Sequence, residues 1–299
     1  MLKIALISEH ASPLALVGGT DSGGQKVYVA HLARQLTYLG FHIDIFTRRD
    51  GKNQPLIVDW LPQARVIHVP AGPARFIPKE QMLAHMEEFA RWVERFVRRE
   101  KICYDVTHAN FFMSGMVAQR IKQALGTPFV MTFHALGRVR RLSQGKDDAF
   151  PDIRFAIEER LMQEADRIIA ECAQDQVDME RLYGADGNRI DVVPCGFDSD
   201  EFWPVAASAR EHLGLQPDDF IVLQLGRIVP RKGIDNVIRA MATLRKKHGI
   251  SGKLLVVGGN TPEPDPQATP ELGRLMELAD TLEIRDAITS AALRNEGDD

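Results

Sequence analysis

The chain has 299 residues, of which 44% are hydrophobic and 26% are charged, and its formal net charge is −4. These ordinary values exclude an intrinsically disordered chain and a membrane-embedded one, and the negative charge argues against a general attraction to nucleic acid. Because domains commonly have about 100 to 200 residues, the length predicts two of them. Any anion-binding site in such a protein must be local.

Three isolated cysteines are present, Cys103, Cys172 and Cys195, and none belongs to a C-x-x-C pair. This spacing argues against a disulfide framework or a zinc site and favours a reducing compartment. The first residues lead directly into a short apolar strand, without the hydrophobic run of a signal peptide, and no segment approaches the ~20 apolar residues of a spanning helix. We therefore predict a cytoplasmic protein with no integral membrane segment.

In chain order, β-rich runs alternate with helical patterns, as a parallel sheet with crossover helices requires. Strands are predicted at 3–8, 42–47, 65–69, 106–109, 129–133, 167–171 and 190–193, and helices at 24–39, 79–99, 114–125 and 151–165. After Phe202-Trp203-Pro204 the pattern restarts, with two strands at 220–225 and 253–257 and helices at 209–213, 234–248 and 271–282. The predicted domains are therefore 1–205 and 206–299.

A glycine-rich segment, residues 17–25, separates the first predicted strand from the first predicted helix. Its glycines, at positions 18, 19, 23 and 24, allow close approach of the backbone to a ligand, and the helix N-terminus behind them favours negative charge. The segment contains neither G-x-G-x-x-G nor G-x-x-x-x-G-K-[ST], which disfavours a nicotinamide dehydrogenase and a P-loop NTPase. It predicts an anion-binding loop, and a merely flexible loop is the alternative.

A second glycine-bounded turn lies at residues 223–233, Leu-Gln-Leu-Gly-Arg-Ile-Val-Pro-Arg-Lys-Gly. An apolar strand ends here in two glycines that bracket Arg227, Arg231 and Lys232, and a helix follows. The free N–H groups of a helix start, its dipole and these cations together predict a pyrophosphate cradle. The alternative is a solvated basic turn between strand and helix.

Six short motifs in a fixed order resemble one known family. They are Gly-Gly-Gln at 23–25, Thr-Phe-His at 132–134, Ile-Ala-Glu at 169–171, Val-Pro-Cys-Gly-Phe-Asp at 193–198, Phe-Trp-Pro at 202–204 and Gly-Arg to Arg-Lys-Gly at 226–233. The chain resembles the retaining GT-B glycosyltransferases of family 4, and within them the branch of sucrose-phosphate synthase and sucrose synthase. The resemblance implies an α/β GT-B fold, with a complete N-terminal Rossmann-like domain on the acceptor side and a partial C-terminal Rossmann-like domain that binds the nucleotide sugar.

The resemblance also implies roles for individual residues. The donor diphosphate is expected at Gly23, Gly24, Gln25, Arg227 and Lys232, and the catalytic residue beside the transferred sugar at His134. Fixed cations and N–H groups stabilise the charge that develops on the leaving nucleoside diphosphate, so neither a metal nor a cofactor is expected. Retention is explained in this family by same-face attack, which requires no carboxylate nucleophile. The donor implied is a nucleotide sugar, most plausibly UDP-glucose.

Histidines are more often structural than catalytic, and His134 is singled out only by its Thr-Phe-His setting. His108 also follows a predicted strand, and for it a site role and a purely structural role are both open.

The acceptor substrate is expected to be a sugar or a sugar phosphate. Lys79, in Pro78-Lys79-Glu80, matches a lysine that contacts the acceptor phosphate in the sucrose-phosphate synthase branch. A cluster of further cations lies downstream, and could complete a phosphate pocket or form a solvated basic loop: Arg138, Arg140, Arg141, Lys146 and Arg154. Of these we select Arg154 as the second acceptor-binding residue.

The chain departs from the family in its C-terminal part, where the E-x7-E element that holds the donor sugar and ribose is not found. A second domain with two parallel strands would bury little surface, so we expect it to need a partner chain or to self-associate. The alternative to an active transferase is a truncated or degenerate domain that acts by binding, without independent catalysis.

Overall fold

The computed structural model describes residues 2–14, 24–204, 210–211, 215–258 and 265–291. The chain divides into two compact units, of which one extends to Gly196 and the other starts at Phe197. The strands of the first unit are β1 Lys3–Ile7, β2 His42–Arg48, β3 Ile57–Leu61, β4 Ala64–Val69, β5 Val106–Asn110, β6 Phe129–Thr132, β7 Arg167–Ala170 and β8 Ile190–Val192. Its α-helices are α1 Gly24–Tyr38, α2 Met86–Glu100, α3 Phe112–Leu125, α4 Gly137–Gln144, α5 Ile153–Glu164 and α6 Ala173–Tyr183.

The strands of the first unit form one sheet in the order β3-β4-β2-β1-β5-β6-β7-β8. Every pairing is parallel except that of β3 with β4. In this register Asn110 pairs with Thr132, and Thr132 pairs with Ile169. Because parallel strands end at the same edge, the residues that follow β1, β5, β6 and β7 come together there.

The core of the first unit lies on both faces of this sheet, as a parallel sheet requires. On one face, Val29 and Ala33 of α1 pack in a cluster with Leu6, Ile43 and Ile45. On the other face, α2, α3 and α5 cover a larger cluster whose most completely buried members include Phe46, Phe89, Phe112, Phe129 and Leu161. Helices and strands are thus fixed from both sides, and the carboxyl edge of the sheet has a rigid support.

The second unit has a three-stranded parallel sheet in the order β11-β10-β9, formed by β9 Ile221–Leu225, β10 Lys253–Val257 and β11 Ile288–Ala291. Its described α-helices are α7 Ile234–His248 and α8 Pro270–Thr281. Our prediction of two strands was wrong, because β11 has a single strongly apolar residue and is held by backbone pairing with β10, which leaves no hydrophobic pattern. The helix predicted at 209–213 lies largely outside the described residues.

The first unit also contains elements that the pattern did not indicate. The edge strand β3 follows a proline and has mixed polarity, α4 is short and rich in arginine, and α6 has only three buried residues. The helix predicted at 79–99 is divided into a 3-10 segment, Lys79–His85, and the α-helix Met86–Glu100. Short elements of this kind are formed by tertiary packing and carry little periodicity of their own.

Candidate functional site

His134 lies two residues beyond β6, at the carboxyl edge of the first sheet. Its φ is +58°, a left-handed conformation that is uncommon outside glycine and that clusters at functional sites. Its ring Nδ1 is 2.9 Å from Glu171 Oε1, and its Nε2 is 3.0 Å from Asn110 Oδ1. The ring of Tyr28, from α1, meets the imidazole at a centroid distance of 4.8 Å and an angle of 75°. Three neighbouring elements thus hold one imidazole, whose side chain is 10% exposed.

Both ring nitrogens of His134 face oxygen acceptors. The Asn110 side-chain amide donates to the Ile7 carbonyl at 3.4 Å, which turns its Oδ1 towards the imidazole. Glu171 also accepts a hydrogen bond from the Cys195 thiol, at 3.4 Å. Burial acts to raise the pKa of Glu171, but the hydrogen bonds and charge of His134 and the bond from Cys195 outweigh it, and the pKa lies below its usual value. Glu171 is therefore an ionised acceptor at neutral pH.

His108 is a buried neighbour of this site. Its Nε2 lies 2.8 Å from Thr132 Oγ1, and burial together with the nearby His134 lowers its pKa to about 4. It is consequently neutral at physiological pH. Burial also raises the pKa of Tyr28, whose hydroxyl is hydrogen-bonded to the same Thr132 side chain. Thr132 thus links two side chains beneath the His134 loop, and of the two roles left open for His108 the structure favours the structural one.

Gln25 connects the start of α1 to the same edge. Its side-chain amide donates to Ser8 Oγ at 3.3 Å and to the Asn110 carbonyl at 3.1 Å. Asn110 is thereby bonded to Gln25 through its main chain and to His134 through its side chain. Gly24 is the exposed first residue of α1, whereas Gly23 and the loop before it lie outside the described residues.

The turn of the second unit has the predicted order of strand, turn and helix. Gly226 follows β9 and Gly258 follows β10, and their backbones are in close contact. A Cβ on Gly258 would lie 2.0 Å from the Gly226 carbonyl oxygen. The turn then passes through a 3-10 segment, Pro230–Lys232, to the N-terminus of α7. Arg227 and Lys232 are exposed, and no carboxylate of the described residues forms an ion pair with either. The turn therefore offers two cations beside a helix N-terminus.

Arg154, chosen as an acceptor-binding residue, is an interior side chain. It is 1% exposed, its Nε lies 2.7 Å from Glu158 Oε1, and it donates to the Ala135 carbonyl. Its guanidinium is 4.6 to 5.0 Å from the centroids of three phenylalanine rings, Phe111, Phe112 and Phe150. Its Nη1 is buried with no hydrogen-bond partner among the described residues. Because this nitrogen is buried, a ligand could reach it only if the surrounding side chains moved.

Glu158 binds this arginine to the loop that follows His134. It accepts hydrogen bonds from the Gly137 amide at 3.0 Å and from the Tyr183 hydroxyl. Burial raises the pKa of Glu158 despite the charge of Arg154. This buried group holds residues 135–137 at a fixed distance from α5.

The other downstream arginines are engaged by carboxylates. Arg138 pairs with Glu159, Arg140 with Asp148 at 2.7 Å, and Arg141 with Asp152 at 2.8 Å. These three arginines therefore lie in the helix α4 and form ion pairs. This arrangement fits neither of the two alternatives, an open phosphate pocket or a solvated basic loop. Lys79 is partly exposed and begins the 3-10 segment before α2.

Arg48 is a buried cation that sequence reasoning missed. The residue is 4% exposed, and its guanidinium donates to the carbonyls of Pro73, at 2.8 Å, and of Arg75. It holds the segment that leads to Lys79. Its partners are main-chain carbonyls, which every residue has, so no sequence signal could have identified it.

In the described part of the chain, no group of three His, Cys, Asp or Glu side chains is placed to hold a metal ion. The described helices include none that is long and apolar enough to cross a membrane.

Comparison with known proteins gives matches along both units. The family model of Glycosyltransferase Family 4 matches residues 22–201, and that of Glycosyl transferases group 1 matches residues 206–293. A D-inositol 3-phosphate glycosyltransferase from Catenulispora acidiphila is 37% identical over 293 residues, which are 96% of this chain and 67% of the relative. A similar relative from Actinosynnema mirum is 36% identical, with 96% of this chain and 70% of the relative covered.

Solved structures agree with this placement. Sucrose-phosphate synthase from Thermosynechococcus elongatus matches with a TM-score of 0.84 and 31% identity, over 99% of this chain and 71% of that one. The match to this synthase confirms the two-domain α/β fold of GT-B type, and the chain spans about two thirds of the length of its relatives. The sequence relatives are named D-inositol 3-phosphate glycosyltransferases, whereas the solved structure is a sucrose-phosphate synthase, so the sucrose-phosphate synthase branch stays a prediction. The chain belongs to glycosyltransferase family 4, whose members transfer a sugar from a nucleotide sugar.

Proposed function

We propose that this protein transfers a hexosyl group, glucose from UDP-glucose, to a phosphorylated sugar or cyclitol with retention of configuration. The observation that carries the donor part is the turn of the second unit. There Arg227 and Lys232 stand exposed beside the N-terminus of α7, and no described carboxylate neutralises them. Such a turn suits a diphosphate, which gains negative charge as the sugar leaves.

His134 has the role of orienting the transferred sugar. A positioned group contributes to catalysis when its contact strengthens in the transition state, and this requires a fixed geometry. The hydrogen bonds to the Glu171 and Asn110 side-chain oxygens supply that geometry at the carboxyl edge of the sheet. Gln25 supports it by bonding the Asn110 carbonyl.

The acceptor part rests on Lys79, which is partly exposed, and on Arg154, which is 1% exposed and could meet the acceptor only if the side chains around it moved. Support for a phosphorylated acceptor comes from the relatives named above, which carry a phosphate compound in their names. A phosphomonoester is the chemistry common to an inositol phosphate and to the acceptor of a sucrose-phosphate synthase. Arginine and lysine bind it through charge-assisted hydrogen bonds.

A transfer assay tests this function directly. UDP-glucose is offered with fructose 6-phosphate and with inositol 3-phosphate, each beside its unphosphorylated form, and the anomeric configuration of the product is read by NMR. We expect transfer to one phosphorylated acceptor with retention, and loss of the preference for phosphate in Lys79→Ala. Lys52→Ala, which removes an exposed lysine of the same unit, serves as the control. UDP binding without any transfer would instead support the domain that acts by binding.

A further inference from the structure

Glu171 differs from several carboxylates of the first unit in its ion-pair partner. Glu9, like Glu171, is paired with a histidine, whereas Asp44 and Glu158 are each paired with an arginine. Glu171 has no such partner among the described residues, and its hydrogen bonds come from His134 Nδ1 and from the Cys195 thiol, on the same oxygen. With its side chain 21% exposed, it is partly removed from water. Its charge is therefore directed mainly at the imidazole.

The second bond of the same imidazole is of a different kind. Asn110 offers a neutral amide oxygen to Nε2 at 3.0 Å, while Glu171 offers a carboxylate oxygen to Nδ1 at 2.9 Å. Hydrogen bonds to ionised acceptors are roughly twice as strong as those between neutral groups. An incoming hydroxyl therefore displaces Asn110 more readily than Glu171.

The backbone at His134 makes this anchor necessary. At φ +58° the residue has a conformation that L-residues seldom adopt, and such conformations persist only where the surroundings determine them. The edge of Tyr28 restricts the ring from one side, at a centroid distance of 4.8 Å. Rotation about the side-chain bonds is then prevented chiefly by the bond to Nδ1.

We propose that Glu171 is the positioning residue for His134: it keeps Nδ1 throughout, and a hydroxyl of the donor sugar replaces Asn110 at Nε2. The inference rests on the proposed function, since it needs a sugar at this place. Glu171, at the end of β7, would then contribute to sugar recognition without touching the sugar.

The ring N–H groups of His134 give a direct test. The protein is labelled with 15N at histidine, and the His134 signals are assigned by their loss in His134→Ala. We expect a slowly exchanging Nδ1–H in the wild type that survives in Glu171→Gln and disappears in Glu171→Ala. Addition of UDP-glucose should shift the 15N signal of Nε2 and leave the Nδ1–H in place, whereas UDP alone should move neither. An Nδ1–H that persists in Glu171→Ala, or an Nε2 signal that does not respond to UDP-glucose, would overturn the proposal.

Kinetics provide the second readout. Misplacement of a catalytic group by about 1 Å can reduce turnover by ~10²-fold, so we expect a loss of that order in Glu171→Ala, partial rescue in Glu171→Gln, and UDP affinity within about twofold of wild type. Asp191→Asn, which removes an exposed carboxylate from the adjacent β8, is the matched control. Equal turnover in Glu171→Ala and wild type contradicts the proposal. A wild type that shows the expected N–H signals and UDP-glucose response but no transfer contradicts only the proposed transfer reaction.

Discussion

The two units carry their candidate residues in opposite ways. In the first unit, His134 is nearly buried and each of its ring nitrogens has a partner, and Arg154 is completely enclosed by Glu158 and three aromatic rings. In the second unit, Arg227 and Lys232 stand exposed on a turn. A group that orients an uncharged sugar must be held before the ligand arrives, whereas cations that hold a diphosphate gain most of their order from the ligand itself. The comparison indicates that preorganisation is concentrated in the first unit.

The largest difference is expected in stability. Glu158→Ala leaves the Arg154 guanidinium buried without a counter-charge, which should lower the free energy of unfolding by about 3 to 5 kcal/mol. Lys246→Ala, which breaks the surface pair with Glu283 in the second unit, should cost at most about 1 kcal/mol. Urea unfolding followed by circular dichroism measures both. Equal losses in the two variants would show that the buried pair contributes no more to the free energy of unfolding than the surface pair.

His134→Ala tests the same contrast in catalysis. Turnover should fall by about 10²-fold, equivalent to about 2.7 kcal/mol of transition-state stabilisation, while UDP affinity is almost unchanged. His248→Ala, at an exposed histidine of α7, is the control and should behave as wild type. A parallel fall in UDP affinity would assign His134 a structural role.

Substitutions in the turn of the second unit should weaken the binding of UDP. Arg227→Ala and Lys232→Ala should each weaken UDP binding by about 1.5 to 3 kcal/mol, the contribution of a hydrogen bond to a charged group. Arg239→Ala removes an exposed cation from α7, the helix that follows the turn, and should have little effect. Calorimetric titration with UDP distinguishes the variants. Unchanged affinity in both turn variants would exclude the diphosphate cradle.

The buried His108 should make the first unit less stable at acidic pH. Its pKa in the folded protein is lowered to about 4, mainly by burial, so between about pH 6.5 and pH 4 the unfolded chain binds a proton that the folded chain does not. The free energy of unfolding should therefore fall with decreasing pH in this window, by about 1.4 kcal/mol per pH unit from this group, and the contribution is complete above it. His108→Gln should flatten that slope, and His248→Gln should leave it unchanged. Urea titrations at pH 7, 6 and 5 measure this slope in the wild type and in both variants.

Local patterns were sufficient for much of the architecture. The helix at 234–248 and the strand at 253–257 have the predicted bounds, since each has a continuous apolar period bounded by glycine. The turn at 226–233 could be read in the same way, because its chemistry lies in consecutive residues. The strand β11 could not, since its stabilisation comes from hydrogen bonds to β10, which any main chain can form.

The first-unit site shows where sequence reasoning ends. The sequence alone determined that His134 follows a strand and that parallel strands bring their carboxyl ends to one edge. Only the tertiary structure decided its partners, Asn110 and Glu171, which are 24 and 37 residues away along the chain. It also decided that Arg154 is an interior cation, which sequence reasoning had placed with its neighbours in a basic cluster. The physical reason is that the type of a residue is a local property, whereas its burial and its hydrogen-bond partners depend on strand register and on which helices cover the sheet.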